Sequence, residues 1–201
     1  MLRIIVAILC VVVAHAIPFT DCATDKANTA FTVHSLDIIP ATIIVPGDIH
    51  FSLNATVNRR IDSLFIDVAI HIVTKSGYEI NFPCIGDTNF GSCNNIDACS
   101  IMTDILSGYS VSSTNVGQQL DQMFIAALGH SVQCPISPEE VVVQNFKMTL
   151  PPFSYVWNQL LGPERTYHIK IMIKEDPTDK DNNVGCIDFR ISLSIPSNNV
   201  G

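Results

Sequence analysis

The sequence predicts an all-β protein, a two-sheet antiparallel β-sandwich braced by disulfides and carrying one short helix. Three observations carry this reading. Apolar residues recur with a period of two along most of the chain. Turn residues interrupt that pattern at short intervals, and six cysteines follow an N-terminal export signal.

The strands come in order. Phe51, Leu53, Ala55 and Val57 alternate with Ser52, Asn54 and Thr56. Leu64, Ile66, Val68, Ile70 and Ile72 alternate with Phe65, Asp67, Ala69, His71 and Val73. Tyr167, Ile169, Ile171 and Ile173 face away from His168, Lys170, Met172 and Lys174, and Ile187, Phe189, Ile191, Leu193 and Ile195 oppose Asp188, Arg190, Ser192 and Ser194. One buried and one wet face is the mark of antiparallel strands. Further strands are predicted over Phe31–Ile39, Tyr78–Phe82 and Val141–Leu150. Pro46-Gly47-Asp48, Lys75-Ser76-Gly77 and Asp181-Asn182-Asn183 supply the turns between them.

Two segments depart from the period of two. Val116, Leu120, Met123, Phe124, Ala127 and Leu128 recur at helical spacing between Cys99 and Cys134. Ser113, Thr114 or Asn115 can cap the start of that helix, and Gly129 can stop it. It either packs on a sheet or closes one end of the sandwich as a lid. The second segment, Phe153, Tyr155, Val156, Trp157, Leu160 and Leu161, lies between Pro151-Pro152 and Gly162-Pro163 and holds the only tryptophan. So apolar a loop must bury itself, line a cavity or touch a membrane.

The N-terminus points to export. Arg3, the uncharged run Ile4–Val13 and Ala14-His15-Ala16 have the layout of a signal peptide, predicted over residues 1–16, with one mature domain over 17–201. Cleavage removes Cys10 and leaves six of the 7 cysteines, Cys22, Cys84, Cys93, Cys99, Cys134 and Cys186. An even number in an exported chain reads as a disulfide framework whose pairing counting alone leaves open. The net charge of −8 argues against nucleic-acid binding, which depends on Lys and Arg neutralising phosphates. At acidic pH the carboxylates and histidines take up protons, which eases approach to an anionic membrane. Secretion or the lysosomal lumen is the predicted location.

No catalytic constellation stands out, and no cofactor is predicted. The histidines are scattered, and there is no His-Glu-x-x-His, Gly-x-Ser-x-Gly or phosphate-cradling loop. Cys84, Cys93 and Cys99 fit no zinc knuckle, so no metal site is predicted. Nothing in the spacing of Asp67, Glu79, Asp97 and Asp104 marks out a glycosidase carboxylate pair. Asn54-Ala55-Thr56 is an N-glycosylation acceptor, and Asn54 falls on the polar side of its strand.

Taken in order, the motifs Ile43-Ile44-Val45-Pro46-Gly47-Asp48-Ile49, Asn81-Phe82-Pro83-Cys84, Gly91-Ser92-Cys93, Ala98-Cys99, Cys134-Pro135, Leu150-Pro151-Pro152 and Gly185-Cys186-Ile187 resemble those of the ganglioside activator proteins. These are sphingolipid activators within the ML lipid-recognition family, and the resemblance runs from Asp21-Cys22 to Ile195. It implies the pairs Cys22–Cys186, Cys84–Cys93 and Cys99–Cys134. It also implies that the sandwich opens into a β-cup with an internal apolar cavity. Ile66, Val68, Ile70, Phe82, Phe146, Met148, Ile169 and Ile171 are expected to line that cavity. Tyr78, Phe124, Leu128, Phe153, Trp157 and Leu160 are expected at its rim or at a membrane.

The function implied is to extract a glycolipid or phospholipid from a membrane and present it to a soluble hydrolase, such as a lysosomal glycosidase, without being an enzyme. A sterol carrier of the same family, or a secreted recognition sandwich without a cavity, are the alternatives. The chain departs from those activators in two places. It lacks their extra disulfide in the helical segment, and it has the polar stretch Thr74–Tyr78 where they carry an apolar loop.

Overall fold

The computed structural model describes residues 17–24, 26–85, 91–106, 114–152, 162, 164–179 and 183–196. Two sheets face each other. The larger runs β1 (Phe19–Asp21), β10 (Gly185–Ser194), β9 (Glu164–Lys174), β5 (Phe65–Val73) and β6 (Glu79–Asn81). Beside this path β3 (Thr42–Ile44) adds to β10 in parallel, and β7 (Ile96–Asp97) pairs with β5. The smaller sheet runs β2 (Phe31–Ile39), β4 (Gly47–Val57) and β8 (Glu139–Leu150). Two helices follow β7, namely α1 (Ala98–Leu106) and α2 (Thr114–Leu128).

The alternation seen in the sequence becomes matched cross-strand rows. Ile66 pairs with Ile173, Val68 with Ile171, Ile70 with Ile169 and Ile72 with Tyr167, all on the inner face of the larger sheet. β-Branched side chains suit such a pleated, half-buried surface. The outer face carries Asp67, His71, His168 and Lys170 in the intervening positions.

In the smaller sheet a bulge keeps the inner face apolar. The β4–β8 register shifts between Phe51 and Leu53, where Asn145 has φ 50° and donates its amide to Ser52 Oγ at 2.9 Å. The extra residue moves the buried positions of β8 from the odd series Val141, Val143 to the even series Phe146, Met148, Leu150. Without it one of those series would turn to solvent. Asn54 sits on the opposite face of β4 from Leu53 and Ala55, half-buried in the central strand.

The edge strand β8 is covered. Gln119 of α2 donates from Nε2 to the Thr149 carbonyl at 3.0 Å and accepts the Thr149 amide at 2.6 Å. The side-chain amide thus stands in for a neighbouring strand on an otherwise open edge.

The three disulfides are Cys22–Cys186, Cys84–Cys93 and Cys99–Cys134. Cys22–Cys186 spans 164 residues and fastens the end of β1 to β10; the loop-entropy relation gives it about 5 kcal/mol. Cys99–Cys134 spans 35 residues and anchors the start of α1 to the segment before β8, for about 4 kcal/mol. On the outer face of the larger sheet Lys174 is 4% exposed and pairs with Asp67 at 2.7 Å. Asn95 completes the pair, accepting from Lys174 Nζ at 2.9 Å and donating its amide to Asp67 at 2.7 Å. This ties the segment after Cys93 onto β5 and β9.

The sequence predicts one helix; there are two among the described residues. The short strands β1, β3 and β7, of two or three residues, are also additions, because so few residues cannot display an alternation.

Candidate functional site: an apolar cavity between the sheets

A cavity of about 380 Å³ opens between the sheets at the end where the two helices lie. The smaller sheet contributes Phe31, Leu53, Val57 and Val141, and the larger contributes Ile66 and Ile173. Ile61 and Ile136, whose backbones exchange two 2.9 Å hydrogen bonds, join the wall from the connections flanking β4 and β8. Of the 21 described residues that line the cavity, only Asp121 and Glu139 are polar or charged. Two splayed sheets leave a gap that strands alone cannot fill, and the helices roof it.

Both helices present an apolar stripe to this space. From α1 come Ala98, Ile101, Met102, Ile105 and Leu106, at i, i+3, i+4, i+7 and i+8. That spacing puts them on one face of an α-helix. The Asp97 carboxylate accepts the Ser100 amide at 3.0 Å and caps the helix. From α2 come Leu120, Phe124 and Leu128, while Met123 turns instead onto Ala55, Val141 and Val143 of the smaller sheet. The helices touch at Gly117, where a Cβ would lie 3.2 Å from Ile105 Cγ1. Ile101 and Leu106 at the edge of the cavity, and Ile125 outside it, remain 37–42% exposed, an apolar margin on the helical roof.

A polar recess adjoins the cavity and shares Leu106, Val132, Ile136 and Glu139 with it. Its remaining wall is His130, Ser131, Gln133, Pro135 and Ser137. His130 Nδ1 lies 3.0 Å from the Ser131 carbonyl, and Nε2 lies 3.2 Å from Glu139. The Ser131 carbonyl and then the Glu139 charge favour the imidazolium, raising the His130 pKa above its ordinary value of 6.5.

The expected site residues divide. Ile66, Phe124 and Leu128 line the cavity. Val68 and Ile171 form the next inward pair along from Ile66 and Ile173 but are not among the lining residues. Ile70, Ile169 and Phe82 pack with Tyr167 and Ile195 towards the other end of the larger sheet. Burial there pushes the Tyr167 phenol up to about 12. Met148 packs among Ile43, Val45 and Ile49, and Phe146 lies against that cluster. These side chains are inward-facing, yet they are packed over: the cluster around Met148 meets Ile191 and Leu193 of the larger sheet, and Ile70, Ile169 and Phe82 are filled in by neighbours along their own sheet, so they form packed core instead of cavity wall.

Tyr78 is 75% exposed in the turn between β5 and β6. That turn follows Val73, seven residues and about 23 Å along β5 from Ile66, so Tyr78 is no part of this cavity's rim. Phe153, Trp157 and Leu160 lie outside the described residues. The α1 stripe is present in the spacing of Ala98–Leu106, but a nine-residue segment is too short for helical periodicity alone to predict it.

The acidic residues that could have formed a carboxylate pair hold separate structural contacts. Asp67 holds Lys174, Asp97 caps α1, and Glu79 lies in an ion network with His168 and Arg190.

A family model for the ML domain matches residues 16–193. No curated protein matches the chain. Among solved structures, the crystal structure of a Niemann-Pick type C2 protein from Japanese carpenter ant is similar at 15% identity, with a TM-score of 0.39, over 89% of this chain and 99% of that one. The sandwich, the apolar cavity and a match over most of the sequence converge: the chain belongs to the ML-domain family, whose members bind lipids and are not enzymes.

Proposed function

We propose that the protein is a soluble carrier of an amphiphilic lipid, a glycolipid or a phospholipid, which it lifts from a membrane and presents to a soluble hydrolase in the manner of the ganglioside activators. The observation that carries this reading is the cavity of about 380 Å³, walled almost entirely by aliphatic and aromatic side chains. Each methylene transferred from water into such a space contributes about 0.8 kcal/mol, so a tail is retained without a single directional contact. The recess beside Glu139, with His130, Ser131 and Gln133, provides hydrogen-bonding groups next to the tail site. A sugar or phosphate headgroup makes fuller use of it than a sterol, which brings one hydroxyl.

On this reading the exposed margin Ile101, Leu106 and Ile125 faces the bilayer during extraction, together with the aromatic segment that contains Phe153, Trp157 and Leu160. Tyr78 is a separate interfacial contact. The protein works outside the cytosol, in a secreted or lysosomal compartment, where its disulfides persist.

Native mass spectrometry of the secreted protein tests the reading. A co-purifying glycolipid or phospholipid supports it, and a bound sterol points to the other carrier type. Absence of bound lipid, together with no transfer of fluorescent phospholipid or glycolipid between vesicles, overturns it. Trp157→Ala is expected to slow lipid extraction more than it lowers the melting temperature.

A further inference from the structure

On the outer face of the larger sheet, away from the cavity, three potential ligands meet across three adjacent strands. His71 on β5 pairs directly with His168 on β9, and Glu79 on β6 lies diagonal to His71. One ligand atom from each falls within 4.8 Å of the others, and the two imidazole rings lie 6.1 Å apart.

The surroundings of His168 are informative. Its Nε2 is 2.6 Å from Asp188 Oδ1, while its Nδ1 is 2.9 Å from Glu79 Oε2 and 3.0 Å from Oε1. A neutral imidazole has one N–H. If that proton is on Nε2, facing Asp188, then Nδ1 turns its lone pair on a carboxylate. The contact is favourable only when something positive, a second proton or a metal cation, lies between Nδ1 and Glu79. His71 beside this gap offers a third donor, which a proton does not use and a metal ion does.

We propose that His71, Glu79 and His168 form a binding site for a late first-row divalent cation, with zinc as the ion of choice. Two imidazole nitrogens and one carboxylate oxygen are a zinc-type donor set, poor in the oxygen ligands that calcium and magnesium require. Asp188 supplies the outer contact that fixes the His168 tautomer and ring orientation, an arrangement usual behind a ligating histidine. Arg190 Nη2 bonds Glu79 Oε1 at 2.9 Å, which leaves Oε2 to bind the metal in monodentate fashion. Zinc–ligand distances of about 2.0–2.1 Å bring donors to about 3.3 Å of one another. The His71 ring must therefore swing inward, a motion for which its terminal torsion is broad. The cluster is part-exposed, which leaves room for water as a fourth ligand. The Arg190 charge opposes a cation, so the expected affinity is micromolar, well short of a structural zinc site.

The test uses the secreted, chelator-stripped protein and zinc chloride at pH 7.5, followed by calorimetry and by NMR of the histidine rings. One equivalent is expected to bind with micromolar Kd and to shift the His71 and His168 resonances. His71→Ala and Glu79→Gln should each weaken binding at least tenfold. Asp188→Asn should weaken it about tenfold through orientation. His34→Ala, on the other sheet, should bind as the wild type does. His71 takes part in none of the ion pairs above, so His71→Ala remains informative if Glu79→Gln does not fold. No saturable zinc binding by the wild type, or unchanged binding by His71→Ala, overturns the proposal.

Discussion

Ala98→Phe tests the cavity most directly. Ala98 is 7% exposed, starts α1 and lines the cavity wall. A buried benzene occupies a hole of about 150 Å³, so a phenyl ring here takes roughly two fifths of the space. With the cavity at about 380 Å³, and a methylene taken to fill about the 30 Å³ that a water molecule occupies in the liquid, the ring displaces some five methylenes of a bound tail. At about 0.8 kcal/mol each, the loss is about 4 kcal/mol, close to a thousandfold in Kd. The ring enters empty space, so the lipid-free protein should not melt earlier than the wild type. Met148→Phe is the counterpart: it overfills the cluster of Ile43, Val45 and Ile49 and should cost about 1–3 kcal/mol with little selective loss of affinity. The assay is displacement of a fluorescent acyl-chain lipid, run beside thermal melts of lipid-free protein. If Ala98→Phe kept wild-type affinity while melting as early as Met148→Phe, the assignment of this space to lipid would be refuted.

Three further outcomes follow from the geometry. Asp67→Ala leaves the buried Lys174 ammonium with the neutral Asn95 but no counter-charge and should lower stability by about 3–5 kcal/mol in urea unfolding, whereas an exposed pair such as Arg60–Asp62 should contribute under about 1 kcal/mol. His130 should titrate above 6.5 by NMR, and Glu139→Gln should lower that value; the folded pKa is raised, so its stabilising contribution is complete below the unfolded value and disappears as pH rises through the folded one. A titration at or below 6.5 would contradict the described contacts. Asn54→Gln should remove one glycan from the secreted protein, read as a mass decrease, and an unchanged mass would rule out that acceptor.

Much of the fold was legible because burial on one face of a strand imposes a period of two. Where that period ran for seven or more residues, as in β4, β5, β9 and β10, the strand pairing aligns the expected apolar residues in shared cross-strand rows, although burial differs little between the two faces of β5 and Lys174 on the polar side of β9 is buried. β8 was legible only as a strand. Its bulge at Asn145 is a local change of backbone that reverses the parity of buried positions midway, and a strict alternation cannot express it.

What the sequence determined by itself is the alternation, the helical spacing of α2 and, through an ordered set of motifs, the family. These depend on residues near one another along the chain. Where the cavity lies was decided only in three dimensions. Ile66 and Ile70 occupy the same face of the same strand, yet Ile66 borders open space and Ile70 meets Phe82, Tyr167 and Ile195, because side chains distant in sequence fill the space over one and leave it open over the other. The juxtaposition of His71, Glu79 and His168 is of the same kind. Their alignment depends on the register of β5 with β6 and β9, strands separated by up to about a hundred residues, and no local pattern encodes that register.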